Sequence, residues 1–124
     1  IITIGDKAFA IKRMVRPNDF RASGGGVTKY KKELIDERCI KIAFETSKKM
    51  NASCVCYDFV FDTNNQPLII EINYGFAHEV YNDCPGYWDK ELNWHEGKFN
   101  QVEWIIDLMI GNKSKSLKNR IFKI

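Results

Sequence analysis

Asp58, Glu71 and Asn73 are the residues of this sequence whose types and spacing could do chemistry. They lie in Val55-Cys56-Tyr57-Asp58-Phe59-Val60-Phe61 and Leu68-Ile69-Ile70-Glu71-Ile72-Asn73, two apolar runs around the polar cluster Asp62-Thr63-Asn64-Asn65. That pattern predicts a β-hairpin. With Asn64-Asn65 as a two-residue turn, Thr63 faces Gln66, Asp58 faces Glu71 and Cys56 faces Asn73. Side chains two apart share a strand face, so Asp58, Glu71 and Asn73 line a cleft while Tyr57, Phe59, Ile70 and Ile72 turn to the core. Carboxylates directly opposite one another are unfavourable without a counter-charge. A hard cation supplies it, since Mg²⁺ takes carboxylates, carbonyl oxygens, waters and substrate phosphates. The other reading is a wet hairpin face with both acids splayed into solvent.

Further cations stand upstream. Phe9, Ile11 and Arg13 alternate on one face of an extended stretch, so Arg13 ends an apolar face and either snorkels to solvent or meets an anion. In the next loop, Asp19-Phe20-Arg21-Ala22-Ser23 runs into Gly24-Gly25-Gly26. Glycines let backbone N–H groups approach a phosphate, although three in a row equally describe a surface loop. His95 and Glu96 could approach a second substrate, or be packed.

The elements that position these residues follow from periodicity. Residues 1–4 and 7–14 read as strands joined at Gly5-Asp6, and 15–28 as a loop. Helical spacing of Ile35, Cys39, Ile42, Ala43 and Met50 predicts a helix over 35–50, with Asp36 at its start, Lys48-Lys49 in its last turn and Asn51 as a left-handed stop. Residues 74–97 show no regular pattern but carry many aromatics, which argues against disorder. Val102, Ile105, Ile106 and Met109 predict a last helix over 99–110 closed by Gly111.

The whole is one domain's worth of chain, 1–111, with a basic tail over 112–124. A formal net charge of +3, with lysines interleaved among acids, gives no nucleic-acid surface, and the basic run reads as a solvated tail. No apolar run spans a membrane and no secretory signal is visible. Cys39, Cys54, Cys56 and Cys84 fit no zinc spacing, and read as reduced, mostly buried thiols of a cytoplasmic protein.

Taken in order, the strand, the arginine-bearing loop, the helix and the hairpin with Asp and Glu-Ile-Asn resemble the C-terminal half of an ATP-grasp domain. The likeness covers about residues 7–73. It is to ligases that activate a carboxylate as an acyl phosphate, such as D-alanine-D-alanine ligases and ribosomal-protein glutamate ligases, and to carbamoyl-phosphate synthase large subunits. The resemblance implies that Asp58, Glu71 and Asn73 hold one or two Mg²⁺ (Mn²⁺ can substitute) bridging the phosphates of ATP. Arg21, within Asp-Phe-Arg, matches the family's arginine near the transferred phosphate, and Arg13 resembles a basic residue on the preceding strand. Two departures stand out: Tyr74-Gly75-Phe76 follows Glu-Ile-Asn where a proline turn is common, and Cys56 stands where some members have a basic residue.

The expected fold is therefore α+β, a largely antiparallel sheet flanked by helices, with the last helix at its edge. The implied function is part of an ATP- and Mg²⁺-dependent ligase joining a small carboxylate to an amine-type acceptor. No adenine hinge or lid lysine precedes Ile1, so the missing N-terminal half of the domain is an expected partner, the segment alone is expected to be inactive, and exposed apolar surface would favour homo-oligomers. The alternative is a non-catalytic half-domain that binds a partner through its aromatic segment.

Overall fold

Apolar residues at the start of the chain pair through Gly5, which takes the left-handed φ of 58° that this turn needs. In the computed structural model, which describes residues 1–20 and 26–121 (112–121 as backbone alone), β1 (Ile2–Ile4) thus lies antiparallel to β2 (Lys7–Phe9). The expected strand over 7–14 is two pieces. After Ala10 and Ile11 the chain leaves the main sheet as β3 (Lys12–Arg13), which pairs with β4 (Thr28–Lys29) in a separate two-stranded ribbon.

A single 3-10 turn, Lys32–Leu34, leads into α1 (Glu37–Met50). Its ends form as the sequence predicts. Asp36 accepts a hydrogen bond from the Arg38 N–H as N-cap, and Asn51 stops the helix in the left-handed conformation. Ile40, Ala43 and Ser47 face inward, so α1 covers one side of the sheet.

The hairpin is β5 (Cys54–Phe61) and β6 (Pro67–Asn73). Its register matches expectation where it matters: Asp58 pairs with Glu71 and Cys56 with Asn73. The route to that register differs. Asp62 and not Thr63 closes the turn against Gln66, because the Asp62 carboxylate accepts from the N–H groups of Asn64 and Gln66 while Asn65 takes a φ of 57°. A bulge between Asp58 and Phe59 then restores the pairing, since Ile69 and not Ile70 faces Phe59. Ile70 and Ile72, expected in the core, are therefore 64% and 40% exposed. The bulge displaces the first, and the second lies on the edge strand of the sheet.

Residues 74–97, which show no period, contain regular structure after all. A 3-10 turn (His78–Tyr81) is followed by β7 (Gly86–Asp89) and β8 (Trp94–Glu96), which extend the sheet. The strands are too short for alternation to register, but their aromatics are good β-formers. The completed sheet is antiparallel with order β6-β5-β1-β2-β7-β8.

The final helix, α2 (Gln101–Ile121), starts where Asn100 accepts from the N–H groups of Val102 and Glu103. It does not close at Gly111. A glycine stops a helix when it turns left-handed, and Gly111 has no positive φ, so the helix runs through into the expected tail. Nor does α2 lie at the sheet edge. Trp104, Ile105 and Leu108 pack with Ile2, Ile4 and Phe9 on the face opposite α1, and Val102, Ile106 and Met109 point outward.

Beneath α1 a chain of hydroxyls is sealed from water: Thr3 Oγ1 lies 2.8 Å from Ser47 Oγ, which lies 2.6 Å from the Tyr57 hydroxyl. Ser47→Ala leaves both neighbours short of a partner. Urea unfolding is expected to show a loss of about 2 kcal/mol, and an unchanged midpoint would mean the chain of hydroxyls contributes nothing.

Candidate functional site

Alternation along β5 divides its side chains between two environments. Val55 and Tyr57 are buried against α1, while Cys56 and Asp58 take the opposite face. Across the ladder, Glu71 and Asn73 share the face of Asp58 and Cys56, and Asn73 Nδ2 donates to Glu71 Oε1 at 2.5 Å. The sequence-predicted trio is thus brought together. Glu71 and Asn73 stand exposed on the edge strand and do not line the neighbouring cleft, whereas Asp58 does.

That cleft, of about 720 Å³, opens where β5 continues past β1. Ile11, Arg13, Leu34, Asp58, Phe59 and Tyr81 are among its walls. The β3–β4 ribbon carries Arg13 into it, and Arg13 Nη2 donates to Asp58 Oδ2 at 3.0 Å. At 40% and 36% side-chain exposure, this pair is worth no more than about 1 kcal/mol, so an incoming anion and cation could part it cheaply. Arg21 lies outside the described residues.

Tyr81 is the cleft residue that the sequence gives no means of finding. It sits 9% exposed at the end of a turn without period, and only tertiary contact brings it to Asp58. Burial pushes its phenol well up, and desolvation also raises the Cys56 thiol beside it. All four cysteines are free, as expected. Cys39 and Cys84 are buried, which pushes each thiol up to about 11.

His95 and Glu96 have local partners. His95 Nε2 lies 2.7 Å from Asp89 Oδ2 and its ring stacks on Tyr87, while Glu96 accepts from the Trp94 indole. Asp89 also accepts from the N–H groups of Glu91 and Asn93, closing the β7–β8 turn. The His95 hydrogen bond foremost, then those from Asn93 and Glu91, hold the Asp89 carboxyl down at about 2 from its usual 3.8. Its folded value lies below its unfolded one, so its contribution is complete above pH 3.8 and is lost as pH falls towards 2. Asp89→Asn is therefore expected to flatten the fall in urea midpoint over that window. A fall as steep as in the parent would show that Asp89 is not the titrating group.

Among the described residues, no three His, Cys, Asp or Glu converge as a metal cage. The trio instead combines two carboxylates with an amide, all able to present oxygen. An antiparallel α+β sheet with Asp on one hairpin strand, Glu-x-Asn on the next and an arginine ribbon alongside defines a class, part of an ATP-grasp domain. More particularly, the RimK-like ATP-grasp domain family matches residues 1–83, and the chain belongs to that family. This is a family of ATP-dependent ligases that generally use ATP and Mg²⁺. The match does not extend to the expected likeness to carbamoyl-phosphate synthase. No curated protein matches the chain, and no solved structure does. No helix among the described residues is long and apolar enough to cross a membrane.

Proposed function

We propose that this chain carries the metal- and phosphate-binding face of a ligase that activates a small carboxylate as an acyl phosphate and joins it to an amine-type nucleophile. The observation that carries the reading is the direct pairing of Asp58 with Glu71, with Asn73 on the same face and Arg13 already against Asp58. Two carboxylates and an amide carbonyl are hard oxygen donors, a set that fits Mg²⁺ or Mn²⁺ and suits softer metals poorly. When bound, the ion would neutralise the phosphates of ATP.

The chain's own residues would do the positioning. Asp58, Glu71 and Asn73 (through its carbonyl, once the Asn73–Glu71 hydrogen bond is given up) would hold the metal. Arg13 would exchange Asp58 for a phosphate oxygen, where its forked guanidinium can make two parallel hydrogen bonds. Arg21, on the family's pattern, would brace the transferred phosphoryl group as charge moves. In this reading the partners are ATP, the carboxylate, the acceptor and the rest of the ATP-grasp domain. The test is Mg²⁺-dependent ADP release by the full-length protein with candidate carboxylates, and its loss on replacing Glu71.

A binding module working through the aromatic segment finds less support. Trp88 and Tyr81 are buried, and Phe76 and Tyr87 pack on the core around Tyr81. Most of that aromatic surface is already spent on folding.

A further inference from the structure

Tyr81 has a held ring and an underused hydroxyl. Phe9 and Phe76 meet the ring edge-on, with centroids 5.4 and 5.6 Å away, which fixes its orientation. The hydroxyl lies beside the Cys56 thiol and within the fields of Arg13 and Asp58. Tyr81, Arg13 and Asp58 all line the same cleft, and Cys56 is paired with Asn73 on the neighbouring strand.

We propose that Tyr81 is a further ligand-binding residue, its hydroxyl donating to an anionic phosphate oxygen of a nucleotide held at Asp58, Glu71 and Asn73; the assignment rests on the function proposed above. A thiol sulfur is a weak acceptor, so the neighbouring Cys56 competes little with an ionised oxygen for the O–H. A bond to an ionised oxygen is roughly twice as strong as a neutral one. An ordinary phenol titrates at about 10, so the hydroxyl is a donor at neutral pH. Unlike Arg13, Tyr81 breaks no ion pair to bind. The aromatic region beyond the Glu-Ile-Asn motif thereby gains a role at the site: Phe76 orients the donor, and Phe9 ties it to the sheet.

A substrate carboxylate could accept the same hydrogen bond, so the experiment separates the two. In the full-length protein, calorimetry of the Mg²⁺ complex of a non-hydrolysable ATP analogue, without any carboxylate substrate, is expected to show roughly ten- to hundredfold weaker binding for Tyr81→Phe. The phenyl ring keeps the packing, so the thermal midpoint should hold. Cys56→Ala should bind the analogue within about twofold of the parent. Equal losses in both variants would mean that the hydroxyl acts through Cys56, and the proposal fails. It also fails if Tyr81→Phe raises only the KM for a carboxylate, or binds the analogue normally while Glu71→Gln does not. If Glu71→Gln too binds the analogue normally, the metal and phosphate reading falls and Tyr81 falls with it.

Discussion

Glu71→Gln in the full-length protein is expected to lower Mg²⁺-dependent ATP turnover roughly a hundredfold or more, the range seen when one preorganised electrostatic contact to a transition state is removed. The substitution isolates charge. Glutamine has nearly the shape of glutamate and can still accept the hydrogen bond that Asn73 Nδ2 now gives to Glu71. Glu71 is exposed on an edge strand, so the fold should not register its loss of charge. What changes is the pair of carboxylates across the ladder, which becomes a carboxylate and an amide with weaker hold on a hard cation. The thermal midpoint should stay constant while the Mg²⁺ concentration needed for half-maximal turnover rises. Steady-state ADP release over a Mg²⁺ series checks both, and unchanged turnover would sink the metal assignment.

The second large effect is on the fold. At Gly86, the first residue of β7, an added Cβ would lie 2.2 Å from the His95 carbonyl oxygen and 2.6 Å from the Trp94 ring. A backbone oxygen in a ladder cannot step aside, so Gly86→Ala must push β8 off β7. Overpacking of this kind costs about 3 kcal/mol, or roughly 10 °C in thermal midpoint for a chain of this size. At Gly75 an added methyl group would meet nothing within 4 Å, so Gly75→Ala serves as the silent comparison. Equal midpoints for the two variants would contradict the close approach. Should the hairpin loosen, the disturbance has a path to the site, because β7 pairs with β2 and Phe9 of β2 holds the ring of Tyr81.

The pairing of Asp58 with Glu71 was legible in the sequence for an instructive reason. Counting from a two-residue turn at Asn64-Asn65 places them opposite, yet the real turn holds three residues, Thr63 to Asn65, inside the Asp62–Gln66 closure. That moves the register by one residue, and the bulge at Ile70 moves it back. The two offsets cancel at Asp58 and Glu71, but not between them, which is why Ile69 rather than Ile70 faces Phe59. Turn chemistry is local, but a bulge depends on how β6 must bend along its partner, and no composition rule marks it.

By itself the sequence determined the parts whose causes are local: the caps of α1 at Asp36 and Asn51, the apolar period that turns α1 inward, the hairpin, and the spacing that identifies the ATP-grasp likeness. Those depend on side chains within a few residues of one another. The tertiary structure alone decided that β7 and β8 extend the sheet, that α2 lies over its second face, that Arg13 meets Asp58 across 45 residues of chain, and that Tyr81 closes the cleft below them. Each is a contact between elements distant in sequence, fixed by burying Phe9, Trp88 and Tyr57 together with their neighbours on the two faces of one sheet. The three residues of the proposed site are close in the sequence pattern, but their geometry belongs to the packing that carries them.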